Sequence, residues 1–135
     1  MIERHKRGGN MKKRSIVAAI SVAFVTVSSA SAQDAGKTAF QACSGCHSIG
    51  TEGDKIEGPN LKGIIGRKIA AQSGFKYSEA IKKFASEHPV WTEDMIDQYV
   101  KNPDELVPGT AMNNAPAVRN ANTRKAIIEY IKAQK

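Results

Sequence analysis

The pentapeptide Cys43-Ser44-Gly45-Cys46-His47 is the part of this sequence that says most about its structure and its chemistry. Two thiols three positions apart, followed directly by an imidazole, form the pattern at which a c-type haem is covalently attached. On one helical turn Cys43 and Cys46 lie on the same side, so each thiol can add to a vinyl group of one porphyrin. A ring nitrogen of His47 is then placed to bind the iron as its proximal ligand. The motif uses both cysteines of the chain, and it predicts one haem c.

Three other kinds of site use two cysteines at this spacing. A thioredoxin-like dithiol needs alternating strands and helices around it, and the sequence has no runs of alternating β-branched residues. A closed structural zinc site needs four ligands, but outside the motif residues 33–135 offer only one further histidine, His88. A structural disulfide does not need His47. We therefore favour haem attachment over these three alternatives.

The first 32 residues have the layout of a signal peptide. A basic region precedes the apolar run Ile16–Val27, and small residues then lead to a predicted cleavage site after Ala32. The apolar run is shorter than the roughly 20 residues that span a bilayer. We therefore expect cleavage rather than an uncleaved anchor, export to the periplasm of a bacterium, and no stable membrane insertion. Translation could start at Met1 or at Met11.

Most of the positive charge of the chain lies in this leader. The whole chain has a formal net charge of +7. The leader carries six Lys/Arg and one acidic residue, whereas residues 33–135 carry 14 Lys/Arg and 12 Asp/Glu, a net charge of +2. Nucleic-acid binding usually requires a concentrated basic surface, so we do not expect a nucleic-acid partner.

Residues 33–135 predict one small, all-α domain with three to five helices and long loops. A chain of this length builds a limited apolar core, and a buried porphyrin would complete it. The segment Ser48–Tyr77 is rich in glycine and is expected to be a long loop. The expected helices, including one short turn, are 36–46, 78–87, 92–101, 103–107 and 122–133.

The ends of the chain should pack against each other. Asp34 is the expected N-cap of the first helix, as Thr92 is of the third. The last helix places an apolar stripe on one face, and the first helix offers Gly36 and Phe40 as its partners. The stripe consists of Ala126, Ile127, Tyr130 and Ile131.

Several further motifs resemble those of the class I cytochromes c, the soluble bacterial monohaem electron carriers that are similar to mitochondrial cytochrome c. The resemblance covers essentially all of residues 33–135 and implies the cytochrome c fold around one covalently bound haem. The motifs follow the Cys43–His47 motif in the order expected of the family. They are Gly58–Arg67, Gly74–Ser78, Trp91, Tyr99–Pro103 and Pro108–Met112.

The resemblance implies the axial ligands of the iron. Met112 would be the sixth ligand, a soft thioether that raises the reduction potential relative to two nitrogen ligands. The alternatives are that Met112 only packs its loop or that His88 binds instead, whereas Met95 is better explained as core filler. The carbonyl oxygen of Pro59 would accept a hydrogen bond from the free ring nitrogen of His47.

The resemblance also implies residues around the porphyrin. Arg67, Tyr77 and Trp91 would surround the haem propionates, and Tyr99 would lie near the Met112 sulfur. For the aromatic residues, packing in an ordinary core is the alternative interpretation. Together with the two cysteines and Pro59, these residues make up the predicted cofactor-binding set.

Two departures from the family pattern concern the haem edge, where partner proteins dock. Ala111 stands where the family often has a lysine, and Asn113 and Asn114 follow Met112 in place of an aromatic residue. We therefore do not expect a strongly basic docking ring. A milder positive patch is still available from Lys55, Lys62, Lys76, Lys82 and Lys83.

The function implied is transfer of single electrons, not catalysis on a bound substrate. The expected partners are redox proteins that dock transiently on a monomer: a membrane oxidase, a reductase complex or a periplasmic dehydrogenase. Two alternatives remain open at this point. The chain could be the electron-accepting subunit of a periplasmic dehydrogenase, or a peroxidase-type haem enzyme with a vacant sixth position.

Overall fold

The structure is a computed structural model that describes residues 29–50, 53, 55 and 57–135. These residues form five helices: α1 (Ser29–Phe40), α2 (Glu79–Glu87), α3 (Glu93–Lys101), α4 (Pro103–Leu106) and α5 (Ala121–Ala133). One isolated antiparallel bridge joins Lys68 to Val90. The predicted all-α fold class is confirmed. The basic region and apolar run of the leader, and both candidate start sites, lie outside the described residues.

Side chains cap the N-termini of three helices, α2, α3 and α5. The hydroxyl of Ser78 accepts a hydrogen bond from the backbone N–H of Ile81 at the start of α2. Thr92 does the same for Met95 at the start of α3, as predicted. Each cap satisfies a backbone donor that has no partner within the helix. The bounds of α2 and α3 were predicted well because the residues that cap these helices lie next to them in sequence.

The first helix differs from its prediction. It was expected over residues 36–46, but it ends at Phe40, and Asp34 lies inside α1 rather than at its N-cap. Beyond Phe40 the backbone tightens into successive turns, with Cys43 N–H bonded to the Phe40 carbonyl at 2.8 Å and Cys46 N–H to the Cys43 carbonyl at 3.1 Å. Bonds of this i to i−3 type are characteristic of helix ends.

The helix also begins earlier than predicted. Residues 29–32, assigned from sequence to the end of the leader, lie in α1, because serine and alanine are compatible with a helix. Cleavage after Ala32 remains a prediction. Among the described residues, no helix has the length and apolar character needed to span a membrane.

Helices α1 and α5 cross at a glycine. A Cβ on Gly36 would overlap the carbonyl oxygen of Ala126 and lie 2.6 Å from Cβ of Tyr130. One turn later the rings of Phe40 and Tyr130 pack with centroids 5.5 Å apart. The predicted packing of the chain ends is therefore confirmed. It fixes the start of the Cys43–His47 motif, since that motif follows α1 directly.

The predicted long loop lies between α1 and α2, and the residues of it that the structure describes contain no helix. It contributes Ile49, Ile64 and Ile69 to the core. Hydrogen bonds then attach it to the chain around Trp91: the N–H of Gly66 binds the Trp91 carbonyl at 2.8 Å, and the N–H of Trp91 binds the Arg67 carbonyl at 3.0 Å. The loop is thereby held against the connection between α2 and α3.

Candidate functional site

The two cysteines lie in the turns that follow α1. Cys43 is half-buried and Cys46 is exposed, and they do not form a disulfide. Burial, and then the neighbouring Cys46, raises the pKa of the Cys43 thiol, so this thiol is protonated at neutral pH. The backbone N–H of Cys46 bonds to the carbonyl oxygen of Cys43 at 3.1 Å, so a single turn connects the two cysteines.

His47 is oriented by bonds at both its backbone and its ring. Its N–H donates to the Cys43 carbonyl at 2.9 Å, and its Nδ1 lies 2.8 Å from the carbonyl oxygen of Pro59. A carbonyl oxygen can only accept, so Nδ1 carries the proton and Nε2 keeps a free lone pair. The predicted bond to Pro59 is therefore present. It selects the tautomer in which Nε2 can bind a metal.

The environment of His47 also favours its neutral form. Burial is the main cause that lowers its pKa, and the positive charge of Lys55 lowers it further. The hydrogen bond to Pro59 opposes these two effects in part. The neutral imidazole is the metal-binding form, so the pKa shift and the tautomer both suit an iron ligand.

Two residues support this turn in roles that the sequence did not predict. A Cβ on Gly58 would lie 2.6 Å from Cε1 of His47 and 2.9 Å from the carbonyl oxygen of Cys46, so only glycine leaves room for the ring. The ammonium of Lys55 donates a hydrogen bond to the carbonyl oxygen of Ser44 inside the motif. The glycine before Pro59 was a signal for close packing, but which ring it packs on depends on the tertiary fold.

Arg67, Trp91 and Tyr99 form one group of neighbours. The guanidinium of Arg67 donates to the carbonyl oxygens of Asn60 at 2.6 Å and Lys62 at 3.2 Å. Trp91 is buried and its ring packs on Tyr99 with centroids 5.3 Å apart. The Arg67 carbonyl is bonded to Trp91, so these three predicted residues are brought together.

Tyr77 belongs to the loop rather than to that group. Its hydroxyl accepts a hydrogen bond from the backbone N–H of Gln72 at 3.2 Å, and its ring meets Phe75 edge-on with centroids 4.8 Å apart. These contacts close the loop before α2. A role for Tyr77 beside a porphyrin remains a prediction.

Met112 is tied to Tyr99 through Thr110. The hydroxyls of Tyr99 and Thr110 are 2.5 Å apart, and the N–H of Met112 donates to the Thr110 oxygen at 3.3 Å. Thr110 is 1% exposed, so it is a fixed point before the methionine. The sequence grouped Tyr99 with Met112 but did not single out Thr110. Burial raises the pKa of Tyr99, and its bond with Thr110 partly opposes that shift.

The two rival ligands, His88 and Met95, make their contacts with α2 and with the hydrophobic core. The ring of His88 packs on Phe84 with centroids 4.4 Å apart, and its backbone N–H closes the end of α2. Met95 is half-buried in α3 and packs against the hydrophobic core. Within the part of the chain that the structure describes, no three His, Cys, Asp or Glu side chains form a group that could hold a metal ion.

The residues at the Cys43–His47 motif fit a c-type haem. Two uncrosslinked thiols stand beside an imidazole whose Nδ1 is already bonded, and Gly58 leaves the face of that imidazole uncrowded. A thioether on a segment fixed by Thr110 provides the second kind of ligand atom that haem iron accepts.

Comparisons with known proteins agree with this chemistry. The family described as Cytochrome c matches residues 33–135. Cytochrome c2 of Blastochloris viridis is 36% identical over 121 residues, which cover 88% of this chain and 92% of that protein. Cytochrome c-550 of Ancylobacter novellus is 39% identical over 77 residues, covering 57% of this chain and 72% of that one.

A solved structure has the same fold. Cytochrome cH from Methylobacterium extorquens superposes with a TM-score of 0.64 and 32% sequence identity. The alignment covers 75% of this chain and 97% of that structure. The helices and the long loop therefore follow an architecture already known in proteins of similar sequence.

Proposed function

This chain belongs to the cytochrome c family, its cofactor is haem c bound covalently through Cys43 and Cys46, and we propose that it is a periplasmic one-electron carrier with His47 and Met112 as axial ligands. The predicted leader supports export, since haem is attached to thiols outside the cytoplasm in such bacteria. In this proposal the protein is a monomer and not an enzyme.

The observation that carries the proposal is the orientation of His47. Its Nδ1 donates to the Pro59 carbonyl at 2.8 Å, which leaves Nε2 as the ligand atom. A ligand histidine held in this way keeps its tautomer and its ring plane while the charge of the metal changes. Electron transfer is faster when little around the metal has to move, so a rigid ligand suits a carrier.

The chain controls the second ligand through the segment before Met112. Haem, when bound, supplies an iron that accepts and releases one electron. Thr110 fixes the backbone of Met112, and Tyr99 fixes Thr110. A thioether held on that side favours the ferrous state. If His47 and Met112 both held the iron, no substrate would need to bind the metal.

The remaining predicted residues would surround the porphyrin. Arg67 carries a positive charge that offsets the charge of buried propionates, and it is already bonded to its own loop. Trp91 and Tyr99 provide a packed aromatic wall that excludes water. Tyr77 would close the same side from the end of the loop.

Partners would dock at the exposed haem edge. Ala111 and Asn113, on either side of Met112, are both exposed and uncharged. Exposed lysines from the loop and from α2 provide a mild positive charge for steering, and the weak interface lets partners separate quickly. A membrane oxidase, a reductase complex and a periplasmic dehydrogenase all suit such a surface.

The test is an optical spectrum of the exported, haem-loaded protein. The oxidised form should show the weak long-wavelength band of sulfur-to-ferric-iron charge transfer and should bind cyanide slowly. Met112→Leu should remove the band and speed cyanide binding, whereas the control Met95→Leu should leave both unchanged. A high-spin spectrum of the unaltered protein would overturn the proposed ligand set and favour a peroxidase-type enzyme. A band that survives in Met112→Leu would show that a different sulfur binds the iron and would overturn the assignment of Met112.

A further inference from the structure

Arg124 is the charged residue that the fold buries among the described residues. Its exposed fraction is 7%, and it lies in α5 one turn before Ile127 and Ile128 on the buried face. A guanidinium withdrawn from water is costly unless charge and hydrogen bonds compensate for it. The charge and the hydrogen bonds that compensate for the burial of Arg124 therefore indicate its structural role.

The guanidinium bridges α3 to the chain that precedes α5. Nε donates to Oδ1 of Asp97 in α3 at 2.7 Å. Nη1 donates to the carbonyl oxygens of Val118 and Arg119, each at 2.9 Å. One planar group thus joins a carboxylate and two backbone carbonyls, a geometry that arginine provides and lysine does not.

The two carbonyls belong to the segment that carries Met112. Between Met112 and Asn120 the chain forms turns, a bend and irregular backbone but no helix or strand, so it depends on bonds to neighbouring elements. Besides those to Arg124, it has a bond from the N–H of Val118 to the carbonyl of Val100 in α3, at 3.0 Å. Before Met112 the fixed point is Thr110.

The segment that carries Met112 is therefore held by hydrogen bonds on both sides of the methionine, at Thr110 before it and at Val118 and Arg119 after it. We propose that Arg124, paired with Asp97, is a positioning residue that clamps the segment after Met112 and thereby limits how often the methionine leaves the iron. This inference rests on the proposed role of Met112 as the sixth ligand. Arg124 itself does not touch the ligand and acts only through Val118 and Arg119.

The experiment measures cyanide binding to the oxidised, haem-loaded protein. At saturating cyanide the observed rate reports how often the sixth position opens. Arg124→Met should raise this rate about tenfold or more, the size expected when hydrogen bonds to a charged group are lost. Arg124→Lys and Asp97→Asn should give intermediate increases, because each keeps part of the bridge, and they carry the test if Arg124→Met does not fold.

Two control variants separate a clamp from general stability. Lys125→Met removes an exposed positive charge from the next position of α5 and should bind cyanide at the unaltered rate. Ser78→Ala removes the cap of α2, far along the chain from Met112, and lowers overall stability. It too should leave the cyanide rate unchanged, while urea unfolding confirms that it is destabilised.

The outcomes distinguish this inference from the ligand proposal. If Met112→Leu speeds cyanide binding but the Arg124 and Asp97 variants do not, the clamp is wrong and the ligand stands. The clamp is also wrong if Ser78→Ala speeds binding as much as Arg124→Lys. If Met112→Leu has no effect on the rate, the ligand proposal fails and this inference fails with it.

Discussion

The backbone of Gly58 lies against the ring of His47, closer than any residue with a Cβ would allow. A Cβ at this position would lie 2.6 Å from Cε1 and 2.7 Å from Nδ1 of the imidazole. The next residue, Pro59, accepts the hydrogen bond that orients the same ring. Gly58 and Pro59 together therefore set how closely the backbone packs on the ring of the proposed proximal ligand and which ring nitrogen carries the proton.

Gly58→Ala should destabilise the protein by about 1–3 kcal/mol, the usual cost of overpacking a filled site. The new methyl group meets the ring of His47 and the carbonyl oxygen of Cys46, and neither is the free end of a flexible side chain. We therefore expect a lower urea midpoint together with an altered visible spectrum of the haem-loaded protein.

The matched control is Gly53→Ala, because a Cβ on Gly53 would meet nothing within 4 Å. It should change the free energy of unfolding by no more than about 0.5 kcal/mol, as is usual for surface sites. If both substitutions had the same small effect, the close contact between Gly58 and His47 would not be as tight as described.

The motif, the helices with local caps and the pairing of the chain ends could all be read from the sequence. The side chain of Thr92 caps α3 by accepting a bond from a residue only three positions away, so the capping residue and the helix start it predicts are adjacent in sequence. The stripe containing Ile127 and Ile131 repeats at helical spacing and needed a partner that contained a small residue. Gly36 supplied that residue, and the structure brings the two together.

The residues that support the site were harder to foresee. Gly58, Thr110 and Arg124 act through contacts with residues that are distant in sequence. No local sequence pattern predicts those contacts. Arg124 did leave one signal, because it falls on the apolar face of α5 where a charge needs a partner. The end of α1 was misplaced because the turns after Phe40 resemble a continued helix in sequence.

Gly36→Ala should destabilise the protein even though alanine is the better helix former. Propensity alone would stabilise α1 by about 0.5–1 kcal/mol. The added Cβ instead overlaps the Ala126 carbonyl and lies 2.6 Å from Cβ of Tyr130, so α1 and α5 must separate. We expect a net loss of about 1–3 kcal/mol in urea unfolding.

The sign of this effect makes the measurement decisive. Lys37→Ala, at the next and exposed position of α1, should change stability by no more than about 0.5 kcal/mol. A Gly36→Ala protein more stable than the unaltered one would mean that the two helices can move apart at no cost.

Tyr99 should make the protein lose stability in alkaline solution. Burial raises its pKa above 10.0, and the bond with Thr110 offsets only part of that rise. The unfolded chain then releases this proton at a lower pH than the folded protein does. The stabilisation is therefore complete below the unfolded pKa and is lost as the pH rises through the folded value.

Tyr99→Phe removes this titration. At neutral pH it should cost about 0.5–1.5 kcal/mol, because the hydroxyl of Thr110 loses one of its two hydrogen-bond partners. Above about pH 10 its stability should fall less steeply than that of the unaltered protein, so the two curves converge. Urea unfolding across this range measures both curves. Curves that stayed parallel would show that the Tyr99 hydroxyl ionises as readily in the folded protein as in the unfolded chain.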